Sequence, residues 1–361
     1  MGLLRLWLAF SVLRYHTTAL GQYWMPNGVA AVQAFFVLSG FAMAMVLEEK
    51  YATDIRRFWI QRAIKLWPAY AVAACLALGY EATLWNARHI GTGMVQEYVH
   101  GPSPSWPAWI LMVACNASML GLDMLGLVGL DPHGLPVLMI RPPAGTFTLD
   151  HYAVLPQAWS LSTEMVFYAL APWYVRLSSR SLVLIFASYV ACRFAYGAFG
   201  LPLYGWISHF TPLELAMFAP GILAWRACRA GDSIALRPWV KSLLGWALVL
   251  LAPLLTADEV RQGWILGLAT ALALPWIFKP LRGMAMDRLI GEWAYPMYLL
   301  HYLIAYVGMD LAAVFQWKLR FWVLACATLA LSAAYWQLLQ QPLAQLRRRW
   351  LNPQAGEARG S

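Results

Sequence analysis

Apolar residues recur along this chain in runs of about 18–20, each long enough as a helix to cross a hydrocarbon core of ~30 Å. Ten such runs predict membrane-spanning helices near 3–20, 28–47, 67–86, 159–176, 181–198, 212–228, 241–256, 262–278, 290–311 and 321–341. One further apolar stretch, 106–127, is ambiguous, because counting it as a span would invert every later segment.

The basic residues decide between these topologies. With 106–127 not crossing, 19 of the 26 Lys and Arg residues fall on one face. That face is cytoplasmic by the positive-inside bias. If 106–127 crossed, the basic groups after it would lie outside. The pattern therefore predicts an all-α integral membrane protein of about ten transmembrane helices with cytoplasmic N- and C-termini. Segment 106–127 reads as a re-entrant or surface-lying piece of a long external region, 87–157, rich in Pro, Gly and His. Non-helical backbone at membrane depth is tolerated only against protein or a wet cavity, and a cavity here would be a natural place for an external substrate. Residues 1–350 read as a single polytopic domain and 351–361 as a disordered cytoplasmic tail.

Composition agrees. The chain is 61% hydrophobic and 12% charged with a mean hydropathy of +0.56, too little polar cover for a water-facing surface of this size. Many of the 20 Trp and 17 Tyr lie near the ends of the apolar runs, where amphipathic rings anchor at headgroup level. A net charge of +9 invites a nucleic-acid reading, but the cations are scattered between apolar runs and membrane topology accounts for them. The five cysteines lie in apolar stretches without ligand spacing and read as small core residues; no metal site is expected. Ala19-Leu20-Gly21 has the small-residue character of a cleavage site, yet Arg14 and His16 interrupt the apolar stretch before it, so an uncleaved first span is expected.

Ionisable residues within the membrane are costly and each needs a reason. Arg5 and His16 are eleven residues apart on the first span, which places them on one helix face about 16.5 Å apart. Arg5 then lies at the cytoplasmic surface and His16 beyond the midplane. A histidine there suits activation of a hydroxyl; a hydrogen-bonded packing histidine is the other reading. Arg14, on nearly the opposite face, suits a structural bond or a substrate anion. Before the third span, Arg56, Arg57, Arg62 and Lys65 gather within ten residues. Arg62 and Lys65 share a helix face, where two cations repel unless an anion such as phosphate joins them. Ordinary positive-inside charge is the simpler account of this group. Glu164 falls inside an apolar span with Ser160 one turn earlier on its face. A buried carboxylate can fix the tautomer of a histidine, or merely bond between helices. His301 is a further intramembrane candidate. The chain contains no GxSxG, Walker loop, HExxH or GxGxxG.

These same places resemble the acyltransferase-3 family of membrane O-acyltransferases. Arg5 through His16 resembles its first-span motif, and Phe35-Phe36-Val37-Leu38-Ser39-Gly40-Phe41 its second-span signature. Phe58 through Pro68 with Tyr70 is similar to its Arg-x-x-Arg stretch, although Lys65 replaces an arginine and puts bidentate phosphate contact there in doubt. Trp159-Ser160-Leu161-Ser162-Thr163-Glu164 with Tyr168, and Tyr295-Pro296-Met297-Tyr298-Leu299-Leu300-His301, resemble two more motifs. The matches occur in order from about residue 4 to 340. The resemblance implies transfer of an acyl group, usually acetyl, from cytoplasmic acyl-CoA to a hydroxyl of a carbohydrate or other cell-envelope or secreted acceptor. It implies a multi-pass location in the cell (inner) membrane. It implies His16 as base and Arg5, Arg62 and Lys65 on the donor side; Glu164 is expected to aid His16, and Arg57 to join the donor-side cations. Arg14, Trp159, Ser160, Ser162, Tyr168 and His301 are then expected around the substrate. A proton-coupled transporter or glycan exporter is the competing class, and predicts inverted repeats that the sequence lacks. A non-catalytic sensor or scaffold leaves the joint occurrence of these ionisable residues without a cause.

Overall fold

The computed structural model describes residues 1–17, 25–88, 101–139, 146–198, 209–231 and 234–351. Twelve labelled helices carry the architecture: α1 Gly2–His16, α2 Gly28–Glu49, α3 Ile55–Arg88, α4 Trp106–Ser118, α5 Trp159–Tyr174, α6 Ser179–Ala198, α7 Phe218–Ala230, α8 Pro238–Leu251, α9 Glu259–Leu281, α10 Ala285–Phe315, α11 Phe321–Tyr335 and α12 Gln341–Leu351. Short turns at Thr211–Glu214 and Leu215–Met217 lead into α7, Ala252–Leu255 extends α8, and a π-turn at Trp336–Gln340 joins α11 to α12.

Six stretches among the described residues are long and apolar enough to cross a membrane: Gly28–Glu49, Ile55–Leu84, Pro238–Leu255, Glu259–Leu281, Ala285–Phe315 and Phe321–Arg347. The other four expected spans correspond to α1, α5, α6 and the region of α7. Of these, α1, α5 and α7 are only 15, 16 and 13 residues long. The third span begins earlier than its apolar run suggests. Pro68 does not start the helix; α3 runs through it for 34 residues, so the cluster Arg56–Lys65 is helical and rigidly joined to the span. Prolines also lie inside α5, α9 and α10, a tolerance expected where neighbouring helices replace the lost bonds.

The stretch between α3 and α5, expected from the sequence to be external, departs from an all-α description. Helix α4 has 13 residues, about 20 Å at 1.5 Å each, and ends where Met119 takes φ 63°. Beyond it β1 Val128–Leu130 and β2 Pro136–Leu138 pair antiparallel, with Gly129 opposite Val137. Their turn is made by Asp131, whose Oδ1 accepts from the amides of His133 and Leu135 (both 2.8 Å), and by Gly134 at φ 74°. Strands of three residues are too short to leave an alternation in the sequence. The expected tail lies, apart from Leu351, outside the described residues.

The core is built around α2, which is buried over 78% of its apolar window, against 22% for α8. It packs on α1, α7 and α9, while α10 packs on α1 and α11. Close crossings rely on glycine. A Cβ on Gly221 of α7 would fall 1.9 Å from the Val37 carbonyl oxygen of α2, and one on Gly40 of α2 2.1 Å from that of Phe218. Small residues of this kind let membrane helices approach backbone to backbone. Asn27 caps α2, accepting from the Ala30 amide, and both its nitrogens donate to Gln262 Oε1 of α9 at 2.6 and 2.8 Å. The outer helices turn large apolar side chains away from this core, including Leu243, Leu251 and Leu255 near α8 and Trp322 and Val323 on α11. Such faces would be a liability in water and suit lipid.

Candidate functional site

Two cavities open on opposite ends of α1, and the placement follows from the helix itself. Arg5 faces one cavity and His16 the other. The eleven-residue spacing keeps both on the face of α1 that meets the interior.

The cavity at the Arg5 end has a volume of about 320 Å³. Arg5, Arg62, Lys65 and Glu292 supply its charge at one end, while Phe35, Phe36 and Met43 of α2 supply apolar wall. Its long cationic side chains are held by packing as much as by charge. The Arg62 guanidinium lies 5.6 Å from the Phe58 ring centre and 5.7 Å from that of Tyr168, within cation–π range. Lys65 Nζ is 3.9 Å from Glu292 of α10. Deeper in this basic chamber sits Glu164, which accepts from Ser39 Oγ at 2.7 Å and from the Tyr168 hydroxyl.

The cavity at the His16 end is larger, about 510 Å³. Trp159, Gln157 and Tyr298 line it from one side, Asp123 and Asp150 from the stretch between α4 and α5, and Glu259 from the start of α9. His16 Nδ1 lies 2.8 Å from the Tyr302 hydroxyl of α10, with ring centres 4.3 Å apart. His209 joins the same cavity with its ring 4.1 Å from that of Trp159. Beneath lies a buried polar cluster. Arg193 Nη2 is 2.5 Å from Glu214, which is fully buried, and Gln33 Nε2 donates to both Glu214 oxygens (3.0 and 2.9 Å) and to the Tyr189 hydroxyl. A charge so deep is tolerated because it is both paired and hydrogen-bonded.

Val32 of α2 and Tyr298 of α10 line both cavities, so the two chambers share a wall one or two side chains thick. Tyr298 is tied in place there: its hydroxyl donates to the Gln157 carbonyl at 2.7 Å and lies 2.6 Å from Ser160 Oγ.

The expected residues divide accordingly. Arg5, Arg62, Lys65, Ser160, Glu164 and Tyr168 converge on the basic chamber. His16 and Trp159 line the histidine chamber. The expected pairing of Glu164 with His16 is not formed: the carboxylate faces the other chamber, and the ring's partner is Tyr302. Arg57 lies in the first turn of α3, where its amide donates to Asp54, and it lines neither chamber. Arg14 donates to the Pro26 carbonyl at 3.1 Å, a bond between the end of α1 and the start of α2, and also lines neither. Ser162 is fully buried and turned to the stretch after α4; it donates to Asp123 Oδ1 at 2.7 Å and accepts from the Gly121 amide at 2.9 Å. His301 is a buried packing residue behind His16, ring centres 5.3 Å apart, with Nδ1 on the Tyr298 carbonyl at 2.7 Å. No group of three or more metal-ligating side chains occurs among the described residues.

Sequence reasoning did not single out Tyr302, His209, Asp123, Gln157 or Glu214. For Glu214 a signal was present: Arg193 lies within one expected span, and a buried cation calls for a carboxylate on a neighbour. The others sit in loops, or beside a more conspicuous residue, and carry no local pattern.

Comparison with known proteins bears on the chemistry. A family model described as an acyltransferase domain, of the acyltransferase-3 type, matches residues 1–337. A Bacillus subtilis (strain 168) protein, provisionally named peptidoglycan O-acetyltransferase YrhL, is 39% identical over 70 residues, covering 18% of this chain and 11% of that protein. No solved structure matches. A helical chain whose family match runs through both chambers thereby belongs to the acyltransferase-3 family.

Proposed function

We propose that this enzyme moves an acyl group, typically acetyl, from acyl-CoA in the cytoplasm to a carbohydrate hydroxyl on the other side of the membrane. The observation that carries this reading is the shared wall. A basic chamber and a histidine chamber approach each other from opposite ends of α1, and Val32 and Tyr298 line both. In the ten-span topology with both termini cytoplasmic, the basic chamber faces inward. Arg5, Arg62 and Lys65 then suit the phosphates of CoA, which guanidinium and ammonium groups both bind. The apolar wall between Phe35, Phe36 and Met43 suits the thin pantetheine arm with its thioester leading.

The acceptor enters the histidine chamber, an assignment supported by its greater volume and by Trp159, Gln157 and the carboxylates around it. In the tautomer whose Nδ1–H donates to the Tyr302 hydroxyl, Nε2 keeps its lone pair for a substrate proton. His16 takes the proton of the acceptor hydroxyl as its oxygen attacks the thioester carbon. The ester C–O bond forms, the C–S bond breaks, and the departing thiolate recovers the proton from the imidazolium. Transfer requires the Tyr298 side chain to yield, since it stands between the two reactants. Glu164 acts at the donor end, holding Ser39 and Tyr168 around the thioester path. This replaces the role of partner to His16 that its place in the sequence suggested.

Purified enzyme in lipid nanodiscs, supplied with radiolabelled acetyl-CoA and a mixture of envelope oligosaccharides, tests the reading. His16→Ala is expected to abolish acetyl transfer while leaving the fold, measured by thermal unfolding, intact. Full transfer by a folded His16→Ala enzyme would sink the mechanism.

A further inference from the structure

The two chambers differ sharply in the charge and bonding capacity of their walls. The basic chamber offers Arg5, Arg62 and Lys65 against Glu164 and Glu292. Among the described residues lining the histidine chamber, three are carboxylates, Asp123, Asp150 and Glu259, and one is a guanidinium, Arg193. That guanidinium is already engaged, at 2.5 Å, by Glu214 beneath the floor. The wall as described therefore carries an excess of negative charge.

Hydrogen-bonding capacity points the same way by an independent route. Gln157 is only 3% exposed and lines the chamber. Its Nε2 donates to the Leu299 carbonyl at 2.8 Å, and its Oε1 has no partner among the described residues. A buried carbonyl oxygen left without a donor is costly, and a ligand hydroxyl or amine would satisfy it. Asp123 is fixed by Ser162 and by the Thr211 amide, so its charge stays in place instead of swinging to meet an incoming anion. Asp150 is likewise held by the Thr148 hydroxyl at 2.5 Å. The chamber wall is thus rich in fixed acceptors.

Resting on the acceptor-side reading above, we propose that the acceptor is an uncharged or amine-bearing polyol, a neutral sugar or an amino sugar, and that the chamber selects against uronic acids and phosphorylated or carboxylated glycans. Hydroxyl and ammonium groups supply the donor that Gln157 Oε1 lacks among the described residues, and they suit the neighbouring carboxylates of Asp150 and Glu259. A carboxylate or phosphate on the same sugar would meet three like charges and no uncommitted cation among the described residues. A low-dielectric cavity magnifies that repulsion. Specificity then comes from repulsion of the wrong ligand as much as from contacts to the right one.

The test uses three size-matched tetrasaccharides with the intact enzyme in nanodiscs: cellotetraose, tetraglucosamine and tetragalacturonate. Binding is read without donor by saturation-transfer NMR and competition, and transfer is read separately with labelled acetyl-CoA. Cellotetraose and tetraglucosamine are expected to bind at least tenfold tighter than tetragalacturonate. In the double variant Asp150→Asn, Glu259→Gln, tetragalacturonate is expected to gain and tetraglucosamine to lose. Equal or tighter binding of tetragalacturonate would overturn the inference, as would failure of both other sugars to bind at all. Ranked binding without any acetyl transfer would instead count against the enzymatic reading and leave the selectivity standing.

Discussion

Tyr302→Phe isolates the contact that the structure substitutes for the expected His16–Glu164 pair. The phenol lies 2.8 Å from His16 Nδ1, and the two ring centres are 4.3 Å apart. Phenylalanine keeps the ring packing and removes only the hydroxyl. A neutral hydrogen bond of this kind contributes about 0.5–1.5 kcal/mol net. If it is needed to orient the imidazole in the transition state, kcat should fall roughly 2- to 12-fold at 1.36 kcal/mol per decade. The fall should appear in kcat with the KM for acyl-CoA unchanged, because Tyr302 does not line the basic chamber. Steady-state kinetics at saturating acceptor, with thermal unfolding as a control for folding, reads this directly. Glu164→Gln is the contrast: it touches Ser39 and Tyr168 in the donor chamber and should raise the KM for acyl-CoA. Unchanged kcat in Tyr302→Phe, or a loss confined to donor KM, would refute the assignment of this tyrosine as the group that positions His16.

Three other outcomes follow from the same geometry. Arg62→Ala or Lys65→Ala should raise the KM for acyl-CoA about tenfold or more, the scale of a lost charge-assisted bond, whereas Arg57→Ala should leave it within about twofold; equal effects at all three would show that the chamber does not select among these cations. Gly221→Leu puts a Cβ 1.9 Å from the Val37 carbonyl oxygen and forces α2 and α7 apart, so the unfolding midpoint in detergent should drop by several degrees, in line with the ~1–3 kcal/mol typical of overpacking. Burial alone would raise the Asp150 carboxyl, but bonds from His151 and Thr148 outweigh it and hold the group below the usual carboxylate range. The folded pKa being depressed, its contribution is present above about pH 4 and is lost as pH falls below that. The stability gap between wild type and Asp150→Asn should therefore shrink on acidification, in unfolding scans from pH 6 to pH 3.

Much of this fold is legible in the sequence because each long apolar run must satisfy its backbone as a helix in lipid. Only the start of α3 falls earlier than its apolar run, because the polar turns before it, Arg56–Lys65, are helical too. The hairpin at 128–138 is short and fixed by the side chain of Asp131, and nothing periodic betrays it. Within the site, Arg5 and His16 could be placed because one helix carries both, and Arg62 and Lys65 for the same reason. Contacts between helices were another matter. A carboxylate at 164 and a histidine at 16 look like partners by type, yet the register of α5 against α2 turns Glu164 to Ser39, and α10 brings Tyr302 to the imidazole instead. Ser162 and His301 belong to recognisable motifs and turn out to fasten neighbours. Motif membership marks residues under constraint without saying which of them touch substrate.

In the proposed reaction, donor and acceptor approach from opposite faces and meet near Val32 and Tyr298, which line both chambers. Proteoliposomes with the Arg62 face outward, loaded inside with an impermeant oligosaccharide that the enzyme accepts, test it directly. Labelled acetyl-CoA added outside should give acetylated sugar trapped in the lumen in wild type and none in His16→Ala. Product that forms only when donor and acceptor share one compartment would contradict the account.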